Sequence, residues 1–266
     1  MKRLSLFFAL CCFLCACAQK HIGQPAFIMY SQYVHDSFDI YITLPRDYKA
    51  NEPHSVFYYP DANIKSGNKI REILRDSVLK PGLTKTIFVG IGHRGNFHEL
   101  RRRDFTVPEV VGKDTFGLAA NFGQIAHFYQ FMKTELIPYI NGHYQTNTSN
   151  NSLLGHSFGG LFTVYALFQH DTVFKHFYAL SPSLWVSNYA VYTFNRLGEQ
   201  PGIKQDIFFA TGSLEVLNRI KAGTDQLDDF LHSKKYPSLD FQYKIYTGET
   251  HNSEVPDAIR DILCGK

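Results

Sequence analysis

The chain has 266 residues, with 44% hydrophobic, 15% aromatic and 19% charged side chains. That composition supplies ample material for a core and excludes a disordered or fibrous chain. A net charge of +3 is too weak for its length to indicate a nucleic-acid partner.

Residues 1–18 stand apart. Lys2 and Arg3 precede a mainly apolar run from Leu4 to Leu14 and then small residues, the plan of a secretory signal. The run is shorter than the roughly 20 residues a permanent membrane span needs. Two processing sites fit: "LCAC" resembles a bacterial lipobox that would make Cys17 the lipidated first residue, and "ACA" (16–18) suits ordinary cleavage before Gln19. The expectation is an exported protein, periplasmic or held at the outer membrane only through a lipid on Cys17, with residues 19–266 forming one domain. Four of the five cysteines lie in this segment and only Cys264 lies beyond it, so an internal disulfide framework is excluded.

From residue 37 onward strand-like and helix-like runs alternate. Strands are predicted at 37–45, 55–60, 85–92, 151–155, 174–181, 206–212 and 239–248, most of them continuously apolar, as in strands covered on both faces. Helices are predicted at 68–79, 118–140, 160–170, 187–198, 214–232 and 253–263. In the second of these, Phe122, Ile125, Tyr129, Met132 and Leu136 recur at helical spacing. The alternation argues an α/β fold with a mostly parallel sheet and helices on both faces. Residues 93–117 read as one long irregular loop after a strand, in the region where open α/β sheets place ligands.

Gly155-His156-Ser157-Phe158-Gly159 matches G-x-S-x-G, and a strand before it with a helix after it supplies the context that motif requires. A serine hydroxyl needs a base to take its proton and an acid to orient that base. In this architecture acid and base follow the serine in that order, each after a later strand. His251, in the loop after the last strand, fits the base. Glu215, three residues beyond the strand ending at 212, fits the acid, whereas Asp206 starts that strand at the wrong end. The N–H of Phe158 and one from Ala62 or Asn63 suit an oxyanion hole; Asp61 reads as a turn residue.

These segments also carry a resemblance. "LLGHSFGGLFTVYAL" and "FYALSPSLW", with "TELIPYINGHY" before them and "GSLE" and "ETHNS" after, resemble the putative-esterase family of α/β-hydrolases, which includes esterase D, feruloyl and acetylxylan esterases and the esterases of enterobactin-type siderophores. The likeness runs over nearly all of residues 25–263. It implies an α/β-hydrolase fold and a serine esterase acting through an acyl-enzyme, with Ser157 and His251 carried over directly and Glu215 at a position where the family varies between Asp and Glu. "RRRDFTV" resembles the family's R-D-x-T-P segment, with Val107 in place of the proline and Pro108 after it. Siderophore lactones, small acyl esters, and feruloyl or acetylxylan-type sugar esters are the substrates implied.

Trp185, Phe97, Phe105 and Tyr189 are candidates to stack on a substrate ring. Arg101, Arg102 and Arg103, the last beside Asp104, are candidates to attract an anionic one. His93, His98 and Glu99 match no zinc spacing, and no metal or cofactor is expected. The rival from another class is an exported protein that binds a siderophore or glycan on a hydrolase scaffold without cleaving it.

Overall fold

The computed structural model describes residues 23–76, 79–108, 123–199, 202–216 and 219–265. The export segment, with Cys17, lies outside the described residues, as do Phe122 and the stretch 109–122.

Eight strands form one sheet: β1 (Phe27–Ser31), β2 (Asp36–Thr43), β3 (His54–Pro60), β4 (Thr86–His93), β5 (Thr146–His156), β6 (His176–Leu180), β7 (Gln205–Gly212) and β8 (Leu239–Tyr246), in the order β1-β2-β4-β3-β5-β6-β7-β8. The pairs β1/β2 and β2/β4 are antiparallel and every other neighbouring pair is parallel. The expected mostly parallel sheet is therefore present, with an antiparallel margin that begins at β1.

The continuously apolar strands are buried on both sides, because successive residues point to opposite faces. In β3, Val56 and Tyr58 join one core layer and Phe57 and Tyr59 the other. The first layer is completed by α3 (Ile125–Gln130), a π-helical stretch (Phe131–Leu136), α4 (Ile137–His143), α5 (Phe158–Phe168) and α6 (Ile220–Lys234). The second is completed by α1 (Lys65–Asp76) and α7 (Val255–Cys264). Helix α5 is almost wholly apolar and nearly every residue in it is buried, as a helix enclosed between sheet and neighbouring helices must be.

Three segments depart from expectation. The stretch read as an irregular loop from residue 93 contains a helix, α2 (Phe97–Phe105). The helix expected at 187–198 is a kinked 3₁₀ segment, Val186–Phe194, with Ser187, Asn188 and Tyr189 at positive φ. The helix expected from 214 starts at Ile220, because residues 213–216 are a turn that Glu215 holds together.

Candidate active site

The parallel strands β5, β6 and β7 end at the same edge of the sheet, and each delivers one part of the site. Residues 155–160 make the sharpest turn. Ser157 has φ 61 and ψ −116, a strained conformation for a residue bearing a Cβ. Its N–H donates to the Leu180 carbonyl at 2.9 Å, which pins the turn to the end of β6. Glycine is obligatory beside it: a Cβ on Gly155 would run into the Gly159 carbonyl, and one on Gly160 would come within 2.9 Å of the Leu180 carbonyl. Strand and helix can cross this closely only without those side chains.

The turn after β7 holds Glu215, which is 2% exposed. Its Oε1 accepts from the Gly212 N–H at 2.7 Å, the Ser181 hydroxyl at 2.6 Å and the Thr211 hydroxyl at 3.1 Å. Its Oε2 faces His251 Nδ1 at 2.6 Å. Burial pushes this carboxyl up, but the hydrogen bonds from His251, Ser181 and Gly212 outweigh it and hold the group below its ordinary value. Glu215 is thus an ionised acceptor surrounded by donors.

His251, in the loop after β8, closes the chain. With Nδ1–H donated to Glu215, Nε2 is free to accept the Ser157 hydroxyl proton, and it lies 2.9 Å from Ser157 Oγ. The loop is fixed by a second histidine: His156 Nε2 donates to the His251 carbonyl at 2.7 Å, and the two rings lie 4.7 Å apart. Burial, with the neighbouring His251 charge, pushes His156 down to about 3, so it stays a neutral donor. The structure therefore brings together Ser157, His251 and Glu215, residues separated by up to 94 positions.

Phe158, as the first residue of α5, offers an N–H with no partner in a preceding turn. Of the two residues expected to supply the other main-chain donor, Ala62 has its N–H bonded to the Ile91 carbonyl at 3.0 Å and is corrected on that ground. Asn63 is left, with its side-chain amide anchored on the His93 carbonyl at 2.8 Å.

Several expected substrate contacts are otherwise employed. Phe105 is fully buried, packed on Phe128, Phe162 and the His93 ring, so it belongs to the core and the expectation that it stacks on substrate is corrected. Arg103 is likewise corrected: its guanidinium is shared between Asp104 and Asp36. Phe97 is half-buried on the first turn of α2 with its ring against His98. Trp185 is half-buried against the core two residues past Ser183, whose hydroxyl lies 3.3 Å from that of Ser157.

Four features escaped the sequence. Asp61, read as a plain turn residue, accepts a bidentate pair of bonds from Arg101 at 2.7 and 2.8 Å, and Arg101 also reaches the His156 carbonyl at 3.3 Å. Arg101 lies over the Phe158 ring, so this buried ion pair ties the Asp61–Asn63 loop to the serine turn. Ser181, Ser183 and Glu254 were the others. Nothing in their local pattern marked them, since each acquires its partner through the sheet order. Only the acidic residue next to Arg103 hinted that the arginine triplet would be paired rather than solvated.

A serine on a strained strand-to-helix turn, hydrogen-bonded to a histidine that is in turn bonded to a buried carboxylate, on an eight-stranded mostly parallel sheet, defines an α/β-hydrolase. Comparison with known sequences places it more narrowly: the model of the putative esterase family matches residues 31–256, and the chain belongs to that family. It is similar to the ferri-bacillibactin esterase BesA of Bacillus subtilis, 26% identical over 249 residues that cover 88% of this chain and 86% of that protein. It is also similar to the siderophore triacetylfusarinine C esterase of Aspergillus fumigatus, 30% identical over 102 residues, 37% of this chain and 34% of that one. Among solved structures, an IroE-like serine hydrolase from Shewanella oneidensis superposes with a TM-score of 0.74 at 25% identity, over 88% of this chain and 77% of the other.

Proposed function

We propose that the protein is a serine esterase that hydrolyses siderophore-type carboxylic esters, with Ser157 as nucleophile, His251 as general base and acid, and Glu215 as the group that orients and charges the histidine. The observation that carries this reading is the continuous hydrogen-bonded line from Ser157 Oγ to His251 (2.9 Å) and on to Glu215 (2.6 Å). Ser157 Oγ attacks the ester carbonyl while its proton passes to His251 Nε2. The imidazolium so formed is stabilised by Glu215, which keeps its charge. The developing oxyanion is met by the N–H groups of Phe158 and Asn63. Collapse expels the alcohol, protonated by His251, and leaves an acyl group on Ser157. Water, deprotonated by His251, then releases the acid and restores the serine.

The siderophore substrate rests on the relatives, two of which are named for such esters. Trp185 and Phe97 are the aromatic candidates for holding the substrate. Residues 1–18 support export, with attachment to the membrane through Cys17 in the lipidated form. The test is hydrolysis by purified protein of a siderophore trilactone, a feruloyl sugar, an acetylated xylan fragment and a short acyl ester. The trilactone should be the preferred substrate. Ser157→Ala should lose on the order of 10⁶-fold in kcat with its fold intact. Undiminished turnover by Ser157→Ala would overturn the catalytic reading; indifference to the trilactone would overturn the substrate.

A further inference from the structure

Behind the triad carboxylate lies a second one. Glu254, at the start of α7, is fully buried. Its Oε1 lies 2.6 Å from Ser181 Oγ, and the same Ser181 oxygen lies 2.6 Å from Glu215 Oε1. Two carboxyl groups from different elements thus meet on one hydroxyl.

A hydroxyl carries one proton and can donate to only one of them. The other contact, just as short, needs a proton from elsewhere. Two bare carboxylate oxygens gathered on one serine oxygen in a buried site would leave a lone-pair contact and two uncompensated charges. The main-chain N–H groups of Val255 and of Glu254 itself bear on this carboxyl but place no proton between it and Ser181 Oγ, and His156 Nε2, 3.8 Å from Glu254 Oε1, is already given to the His251 carbonyl at 2.7 Å. The missing proton therefore sits on a carboxyl.

The surroundings decide which. Glu215 is ringed by donors: His251 Nδ1, the Gly212 N–H, Thr211 and Ser181. Glu254 Oε2 is buried and makes no hydrogen bond within the described residues, an environment in which a charge would be costly. The charge belongs on Glu215 and the proton on Glu254.

We infer that Glu254 is a positioning residue held as a neutral carboxylic acid: its Oε1–H donates to Ser181 Oγ, which directs the Ser181 proton onto Glu215 and leaves a single negative charge behind His251. The inference builds on the proposed triad, since it concerns the state of its acid. Ser181 is itself locked for this task, with φ 42 and its N–H on the Ala210 carbonyl at 2.7 Å. The titratable groups that face Glu254 are Glu215 after β7, His156 at the end of β5, Tyr246 at the end of β8 and, beyond His156, His251. Burial first, with the Glu215 charge adding to it and the Ser181 hydroxyl and the Val255 and Glu254 main-chain N–H groups opposing, pushes Glu254 up to about 8. The neutral acid therefore persists at neutral pH and is lost as pH rises past that value, when both carboxylates must share the one Ser181 proton.

Infrared difference spectroscopy tests this directly. Exposed carboxyls are ionised at pH 7, so a protonated carboxylic-acid C=O band there reports a group such as Glu254. Wild-type protein should show the band at pH 7 and lose it through a transition near pH 8, and Glu254→Gln should lack it throughout. The downfield NMR signal of the His251 Nδ1 proton should shift over the same transition in wild type and stay fixed in Glu254→Gln, whose amide can still donate to Ser181. Absence of the band from wild-type protein at pH 7, a reading that needs no variant, would overturn the inference. So would a His251 transition that survives Glu254→Gln. Both readouts also apply to Ser157→Ala, so a failure of the esterase reading shows in turnover while the band is unaffected.

Discussion

The buried ion pair between Arg101 and Asp61 is the part of the site most open to a quantitative test, because it is predicted to act on stability and on chemistry at once. Replacing Arg101 by Leu leaves Asp61, only 2% exposed, without its two guanidinium bonds of 2.7 and 2.8 Å. Breaking a buried pair from one side costs about 3–5 kcal/mol, because the remaining charge stays desolvated. Removing both charges with Asp61→Asn/Arg101→Leu should recover most of that, so the double-mutant cycle should give a coupling of at least about 2 kcal/mol. Urea denaturation at pH 7 with unchanged m-values supplies the free energies. Kinetics supply the second half: Asp61 is two residues from Asn63 and holds φ 61, so loss of its anchor should displace the Asn63 N–H. A lost oxyanion donor costs about 10²–10³-fold in kcat, with KM little changed. A single-variant cost below about 1 kcal/mol, or a strictly additive cycle, would show that Arg101 and Asp61 are not coupled as a buried pair.

Two further substitutions probe neighbouring links. Glu215→Gln keeps the shape but can turn a donor toward His251 Nδ1, favouring the wrong tautomer; kcat should fall about 10⁴-fold while the midpoint of thermal unfolding moves little by comparison. Gly155→Ala forces a Cβ into the Gly159 carbonyl, and because both partners are backbone neither can step aside. Calorimetry should show a loss of about 3 kcal/mol or more, together with lost activity.

What could be read from the sequence follows from how local each cause is. The G-x-S-x-G turn and the strands β2 to β8 announce themselves because glycine spacing and strand-like apolar runs are local signals. Chain order points to Glu215 and His251, since each follows a strand that ends on the same edge of the sheet. Strand β1 carries no such signal: with five residues, two of them (Ile28 and Tyr30) exposed at the margin, it depends on pairing with β2 rather than on any pattern of its own. Helix α2 was hidden because its arginines look like a solvated loop, whereas Arg101 and Arg103 are drawn in by Asp61, Asp36 and Asp104. Phe105 looked available for substrate for the same reason and is instead the core side of that helix. Glu254 gave no local sign either, since its partner Ser181 is 73 residues away.

Every step of the proposed hydrolysis requires Ser157 to be an activated nucleophile. Reaction of the purified protein with a fluorophosphonate, followed by intact-mass measurement and peptide mapping, addresses this without knowledge of the natural ester. One adduct per chain, located on Ser157 and formed far more slowly in His251→Ala, is the predicted result. An unlabelled Ser157, or labelling as fast in His251→Ala as in wild type, would contradict it.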